Sequence, residues 1–364
     1  MYFRYFRLLH NVLRRLANSP NKLLPFHHRK EQTLIQVTIS TGLICLSWPF
    51  SKSTESTFEE KTSTLLKTAI IQIREENYKE ADDNLHQILQ ILAIASRDNE
   101  ITPEEHARSQ ARVFLELAKL RMCQQNYSDA EKLLTETIRF SIAAGVDPQD
   151  SRIVELSLKL ALLYSRLGET SKASSGLEYC FDAQMKKTGQ IFQSPGIKLS
   201  DAEQNEIALL GLVSNAYAHF LIKNGDFSAA QEKLETSLKS AQLIYPPNHD
   251  NILHLQADLA NTDSRLGNYD KALGRLKSVI SNAENQSTPN LPLLRLFCAG
   301  ALIEGNRGEF TAAFGWLDKA VEAANKMTCK PSKELAQKEI QSVRNMLDAW
   351  QKDEEKAAAS EIEI

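Results

Sequence analysis

One internal repeat constrains the fold of this 364-residue chain more than any other feature. Six short turns share a pattern: an opening residue, an aromatic residue two positions later and an alanine five positions later. The third turn has Thr170 in place of the aromatic. The opening residues are Glu76, Gln125, Gly168, Gly225, Gly267 and Gly308, at spacings of 49, 43, 57, 42 and 41 residues. Recurrence of this kind predicts a chain built by stacking similar supersecondary units.

Two further positions keep the same register. An alanine stands twelve residues before each turn alanine, and a leucine stands four residues after it. The alanine pairs are Ala69 and Ala81, Ala118 and Ala130, Ala161 and Ala173, Ala218 and Ala230, Ala260 and Ala272, and Ala301 and Ala313. The leucines are Leu85, Leu134, Leu177, Leu234, Leu276 and Leu317. Facing alanines allow two helices to cross closely, because a longer side chain would force them apart.

The pattern resembles the tetratricopeptide repeat, a helix pair closed by a short turn. It therefore predicts an all-α tetratricopeptide-repeat (TPR) α-solenoid of about six helix pairs over residues 65–329. The spacings exceed the usual 34 residues, so we expect longer helices or longer loops. Residues 330–356 are rich in Lys, Glu and Gln and predict a C-terminal capping helix, because an open solenoid end needs a polar outer face. Residues 357–364 are predicted to be a tail.

The first 33 residues predict a mitochondrial presequence. Arg4, Arg7, Arg14 and Arg15 fall in one arc of about 100° when residues 1–20 are placed on a helix, with apolar residues opposite. A basic amphipathic helix without acids is typical of import into mitochondria. A basic surface-binding helix or a secretory signal is the alternative. Secretion is disfavoured because the arginines run through the segment instead of preceding an apolar block.

Residues 34–50 form an uncharged, mostly apolar segment next to this predicted presequence. It only just reaches the length of a membrane span and is diluted by Gln, Thr and Ser. We expect it either to anchor the chain in the mitochondrial inner membrane or to be removed with the presequence. Residues 51–64, rich in Ser, Thr and Glu, are predicted to link it to the folded part.

Charge and motifs disfavour several classes of function. From residue 51 onward 36 basic residues face 45 acidic ones, and a body this acidic has no field to attract phosphate backbones, so we expect no nucleic acid partner. No nucleotide-binding, zinc-protease or nucleophile-elbow motif is present, and we expect no catalytic residue and no cofactor. The five cysteines form no Cys-x-x-Cys pattern, so no metal site is expected. Cys180 and Cys298 occupy apolar helix positions and are expected to act as small apolar residues.

One row of side chains remains a candidate for binding a partner. The last position of the first helix in each pair is basic in four of six repeats, and two asparagines accompany it. The candidate residues are Arg74, Arg166, Lys223, Arg265, Asn215 and Asn261. In this fold such a row lines the concave groove, where it would receive carboxylates of a partner. The alternative is that basic residues favour helix C-termini because of the helix dipole.

Longer blocks carry a more specific resemblance. The segments LLKTAIIQIREENYKEADDNLHQIL at residues 65–89, DSRIVELSLKLA at 150–161 and GLEYCF at 176–181 look like the mitochondrial tetratricopeptide repeat protein 19 family. The resemblance covers roughly residues 60–345. It departs from the family at Thr170 and in a loop around Ser194–Leu199.

The resemblance implies a partner and a location. It implies an inner-membrane protein that binds respiratory complex III, the ubiquinol–cytochrome c reductase. There it would support assembly of the complex and turnover of its Rieske iron–sulfur subunit. It implies no catalytic residue. The alternative function is a cytosolic cargo adaptor of the kinesin light-chain type, which is disfavoured because residues 1–60 contain no heptads for coiled-coil pairing.

Overall fold

The computed structural model describes residues 57–192, 199–284 and 291–362. These residues form thirteen α-helices and no β-strand. In chain order the helices are α1 (Thr57–Arg74), α2 (Tyr78–Arg97), α3 (Pro103–Cys123), α4 (Tyr127–Ala143), α5 (Ser151–Leu167), α6 (Thr170–Phe192), α7 (Asp201–Lys223), α8 (Phe227–Ile244), α9 (Asp250–Arg265), α10 (Tyr269–Glu284), α11 (Leu291–Asn306), α12 (Phe310–Asn325) and α13 (Lys330–Ile362). The predicted presequence 1–33 and apolar segment 34–50 lie outside the described residues.

The six predicted turns each connect two consecutive helices, from α1 and α2 to α11 and α12. The all-α tetratricopeptide architecture predicted from the register is therefore confirmed. α13 follows the sixth pair and packs on α11 and α12. It occupies the place of the predicted capping helix.

The chain divides into two compact units, and the boundary falls within α7, between Phe220 and Leu221. In the first unit consecutive helices from α1 to α6 pack on one another. In the second unit α8 to α12 pack in the same sequential way, and α9 also contacts α11. Sequential packing with contacts only between near neighbours is typical of repeat proteins.

The register alanines and leucines form the centre of this packing. All twelve alanines and all six leucines are at most 1% exposed. The crossing of α5 and α6 shows why small residues are needed, since a Cβ added to Gly176 would lie 2.8 Å from the Cβ of Ala161. The inference that alanine marks close helix crossings is thus confirmed by burial and, in this pair, by distance.

The turn aromatics open the second helix of each pair and are half-buried there. The hydroxyl of Tyr269 donates a hydrogen bond to the backbone carbonyl of Asn306 at 3.3 Å, and so links one turn to the next pair. Thr170, which replaces the aromatic in the third turn, is exposed. The third turn therefore lacks the aromatic packing of the others.

All six opening residues have positive φ. The four glycines lie between 78° and 86°, and Glu76 and Gln125 adopt the same left-handed conformation at 64° and 60°. At the first turn the N–H of Asn77 donates to the carbonyl of Gln72 and that of Glu76 to Ile73, which is the Schellman pattern that ends a helix. The helix end thus imposes the conformation even where the residue carries a Cβ.

We expect the substitutions Glu76→Gly and Gln125→Gly each to raise the free energy of unfolding by about 0.5–1 kcal/mol, because glycine removes the Cβ clash of the left-handed conformation. Gly225→Ala should lower it by a similar amount, since nothing lies within 4 Å of the added Cβ and only backbone strain remains. Urea unfolding of the full chain measures these changes.

The control for Gly225→Ala is Gly274→Ala. Gly274 is an exposed glycine inside α10 with open space around it, so alanine should raise the free energy of unfolding there. A stabilising Gly225→Ala would contradict the argument.

Helix starts use the side-chain caps that local sequence predicts. The Thr102 hydroxyl accepts from the backbone N–H of Glu105, while the Glu105 carboxylate accepts from the backbone N–H and the hydroxyl of Thr102. Ser200 and Glu203 form the same reciprocal arrangement before α7, which begins at Asp201. These hydrogen bonds to the ionised carboxylates hold the pKa of Glu105 and of Glu203 below its ordinary value.

Two predicted boundaries differ from the structure. α1 begins at Thr57, inside the predicted linker 51–64, and acidic Glu59 and Glu60 in its first turn favour a helix start there. α13 continues to Ile362, into the predicted tail 357–364, because the alanine-rich segment after Lys356 has high helix propensity. Within the part of the chain that the structure describes, no helix has both the length and the apolar content needed to cross a bilayer.

Candidate functional site

The predicted row of partner-binding residues is divided between the two units. In the first unit Arg74 is the last residue of α1 and is exposed, and Arg166 lies half-exposed in the last turn of α5. Both side chains are placed where they can meet a partner. Both also lie at helix C-termini, so the dipole explanation applies to them equally.

The row continues in the second unit with Lys223, Asn261 and Arg265. Lys223 and Arg265 are exposed at the ends of α7 and α9, and Asn261 is half-exposed one turn before Arg265. The Arg265 guanidinium lies 5.3 Å from the centroid of the Phe227 ring, a cation–π contact with the turn aromatic. The guanidinium of Arg265 thus helps to stabilise the turn before α8.

Asn215 does not belong to this surface. It lies in the middle of α7 and is only 1% exposed, so its side chain is not available to a partner. Between Ile207 and Phe220 every residue except Ala208 and Tyr217 is buried. The mostly apolar sequence on all sides of Asn215 could have predicted that this position is buried.

A buried carboxylate in the second unit is neutralised by its neighbours. Asp263 of α9 is fully buried. Its Oδ1 accepts from Gln231 Nε2 and from Lys271 Nζ, each at 2.8 Å, and its Oδ2 lies 3.4 Å from Arg275 Nε. These partners come from α8 and α10, so the cluster joins three helices. A buried charge with this many partners stabilises packing and leaves no carboxylate poised for chemistry.

A comparable cluster joins three helices of the first unit. The Ser151 hydroxyl lies 2.6 and 2.7 Å from the two carboxylate oxygens of Glu206, and the Gln184 amide also donates to that carboxylate. Lys187 Nζ donates to the Ser151 hydroxyl at 2.7 Å. The carboxylate of α7 is therefore held by α5 and α6. This cluster, too, is a packing feature.

Three of the cysteines behave as apolar side chains. Cys123, Cys180 and Cys298 are buried, which confirms the role expected for the last two. Burial raises the pKa of the Cys180 thiol to about 12 and that of Cys123 to about 11, so neither forms a thiolate at neutral pH. Among the described residues, no three His, Cys, Asp or Glu side chains are grouped to hold a metal ion.

A groove in the second unit has the geometry of a binding surface. It lies between the C-terminal halves of α10 and α12, with the N-terminal half of α11 beneath, and encloses about 590 Å³. Its floor is apolar and consists of Ile280, Leu293, Phe297, Trp316 and Ala323. Its rim is polar and consists of Lys277, Ser281, Lys319, Glu322 and Lys326. We call this surface the α10–α12 groove.

The indole of Trp316 is seated in this groove by a glycine. A Cβ added to Gly300 would lie 2.5–2.9 Å from three atoms of the indole, so only glycine lets the ring lie against the backbone of α11. The ring centroids of Trp316 and Phe297 are 6.3 Å apart, and Lys319 Nζ lies 5.2 Å from the indole centroid. The repeat register did not predict this site. The sequence feature that could have indicated it is Gly300 inside an apolar helix. Glycine there lowers helix stability by about 1 kcal/mol relative to alanine, so its presence suggests a close contact.

Comparisons with known proteins agree with this architecture. A tetratricopeptide repeat family model matches residues 209–285, from within α7 to the end of α10. Among solved structures, the apo form of RapI superposes with a TM-score of 0.52 at 10% identity, over 81% of this chain and 87% of that one. At that identity the likeness concerns the fold alone.

Curated relatives are named mitochondrial tetratricopeptide repeat protein 19. The zebrafish protein (Danio rerio) is 28% identical over 67% of this chain and 59% of its own length. The mouse protein (Mus musculus) is 25% identical over 68% of this chain and 66% of its own length. The match thus spans less than two thirds of the length of these relatives. They are homologues of this chain, and their name supports a mitochondrial tetratricopeptide-repeat protein.

Proposed function

We propose that this chain is a non-catalytic scaffold associated with the mitochondrial inner membrane, where it binds respiratory complex III and supports assembly of the complex and turnover of its Rieske subunit. The observation that supports this proposal is the similarity to mitochondrial tetratricopeptide repeat protein 19, because the resemblance in sequence implies that complex. The relatives' name supports the mitochondrion, and neither the inner membrane nor a partner is part of it. The partner is therefore the part of the proposal that needs a direct test.

The described architecture suits a scaffold better than an enzyme. Stacked helix pairs present extended surfaces made of side chains from several repeats, which fit another polypeptide. The buried carboxylate of Asp263 and the half-buried carboxylate of Glu206 are held by neighbouring helices. Exposed charges, in contrast, collect at helix ends such as Arg74 and Arg265. Exposed charges of this kind contribute more to the choice of partner and to the rate of association than to binding affinity.

Affinity capture from detergent-solubilised mitochondria tests the proposal. The full chain carries a C-terminal tag, and co-purifying proteins are identified by mass spectrometry. We expect enrichment of the core and Rieske subunits of complex III relative to the tag alone. Recovery of motor or cytosolic proteins instead, or failure of the tagged chain to reach mitochondria, would favour the kinesin light-chain type of adaptor.

The basic row can be tested in the same capture. We expect the double substitution Arg166→Glu and Arg265→Glu to reduce recovery of complex III subunits about three- to tenfold, because it reverses two solvent-accessible charges of the proposed binding row. Circular dichroism should show unchanged helicity. The matched control is Lys79→Glu with Lys186→Glu, two exposed lysines of α2 and α6 outside the row. Equal recovery with both double variants would leave the helix dipole as the reason for the basic row.

A further inference from the structure

We propose that the α10–α12 groove is a docking site for an acidic segment of a partner protein that carries one aromatic or branched apolar anchor residue. The site differs from the basic row at the helix ends and lies wholly within the second unit. The proposal does not depend on which complex the scaffold serves.

The apolar floor specifies the anchor. Phe297, Leu293 and Ala323 are nearly buried, and the half-buried indole of Trp316 supplies the accessible apolar surface. Tryptophan is enriched at the centre of protein interfaces because it buries a large area with little loss of side-chain freedom. The glycine at position 300 fixes the indole against α11 and so pre-orders the surface. A preordered aromatic surface favours a single apolar side chain that inserts beside it.

The rim specifies the charge of the segment. Lys277, Lys319 and Lys326 surround the floor, and Glu322 is the one acid among the described residues that line the groove. Lys277 and Lys326 form no ion pair with any residue that the structure describes, so their charges are available. This cationic rim stands out on a chain that carries an excess of acidic residues from residue 51 onward. Carboxylates on either side of the anchor would therefore be attracted.

The shape of the groove favours a polypeptide over a membrane. Its volume of about 590 Å³ accommodates one large side chain with adjoining backbone. The apolar atoms are recessed between α10 and α12, whereas binding to a bilayer surface requires apolar side chains that protrude into the interface. A lipid surface is therefore the alternative occupant, and the test must distinguish it from a polypeptide.

Fluorescence anisotropy of labelled peptides tests the proposal on the full chain. The probes are fluorescein-labelled 12-residue peptides with a central Phe or Leu flanked by Asp and Glu. Two comparison peptides replace the anchor by Ser or the acids by Lys. We expect micromolar binding of the acidic, anchored peptides, at least tenfold weaker binding of both comparison peptides, and weakening with added salt because the rim lysines are exposed.

Substitutions on the rim locate the binding. Lys277→Glu with Lys326→Glu should weaken peptide binding at least tenfold, and Ser281→Trp should do so by filling the mouth of the groove. Ser281, Lys277 and Lys326 are all exposed, so the fold should tolerate these changes. The control is again Lys79→Glu with Lys186→Glu, which makes the same change in net charge in the first unit and should leave peptide binding unchanged.

Four outcomes would overturn the proposal. If no anchored acidic peptide binds the wild-type chain, or if the groove variants bind as well as the control variant, the groove is not the site. If sedimentation with anionic phospholipid vesicles shows binding that depends on Lys277 and Lys326 while the peptides do not bind, the occupant is a membrane surface. If the wild-type chain self-associates, the groove variants do not, and no peptide binds, the occupant of the groove is a second copy of this chain.

Discussion

Replacing Ala313 by leucine should lower the free energy of unfolding by about 1–3 kcal/mol, because the site is a close helix crossing that has no room for a larger side chain. Ala313 is fully buried where α12 crosses α11. Three extra carbon atoms force off-rotamer side chains or separate the helices. Ala161→Leu tests the same argument in the first unit, where the crossing of α5 and α6 is closest. Urea unfolding of the full chain measures both changes.

The matched control is Ala312→Leu, one residue away on the same helix. Ala312 is exposed, so the larger side chain extends into solvent and the free energy of unfolding should change by no more than about 0.5 kcal/mol. The comparison holds helix, residue type and substitution constant and varies only the face. Equal effects of Ala312→Leu and Ala313→Leu would mean that the repeat register does not describe the packing.

Replacing Glu339 by alanine should detach the capping helix from the last repeat. Arg295 of α11 donates from Nε to Glu339 Oε2 at 2.9 Å and from Nη2 to Oε1 at 2.5 Å. The Arg295 side chain is 9% exposed and that of Glu339 is 28% exposed. Loss of the carboxylate leaves a buried guanidinium without its main partner. We therefore expect the free energy of unfolding to fall by about 2–4 kcal/mol, which is less than for a fully buried ion pair because Glu339 is partly exposed. Hydrogen exchange of α13 amides should accelerate first.

Two comparisons separate this pair from a surface charge effect. Asp270→Ala breaks the exposed ion pair with Arg307, whose side chain is 42% exposed, and should cost less than about 1 kcal/mol. Adding Arg295→Met to Glu339→Ala removes the buried guanidinium charge as well and should recover much of the lost stability. If Glu339→Ala were no more destabilising than Asp270→Ala, the cap would be held by its apolar contacts alone.

The helix pairs could be predicted because their determinants are local and repeated. A turn that closes a helix pair needs a left-handed residue, an aromatic side chain and a small residue at fixed offsets, and six copies make the offsets visible. Ala69 and Ala301 were placed by the same register although 232 positions separate them. Both are fully buried. The ends of α1 and α13 were predicted less well, because helix ends outside the repeats carry no such periodic signal.

The candidate sites were predictable only in part. The basic row follows from the register, and five of its six members lie at least partly exposed near helix ends. Asn215 was misplaced because the register gives position along a helix, whereas burial depends on what packs against that position. The α10–α12 groove was not predicted, since its lining comes from three helices and no short motif contains it.

The sequence by itself thus determined the fold class, the number of helix pairs and the residues at their crossings, because each depends on contacts between neighbours in the repeat. The tertiary structure decided the partners of Asp263, the pairing of Arg295 with Glu339 and the seat of Trp316 on Gly300. Those contacts depend on which side chains meet when different helices pack, and the rotation of one helix against another is not encoded in the spacing of any single repeat.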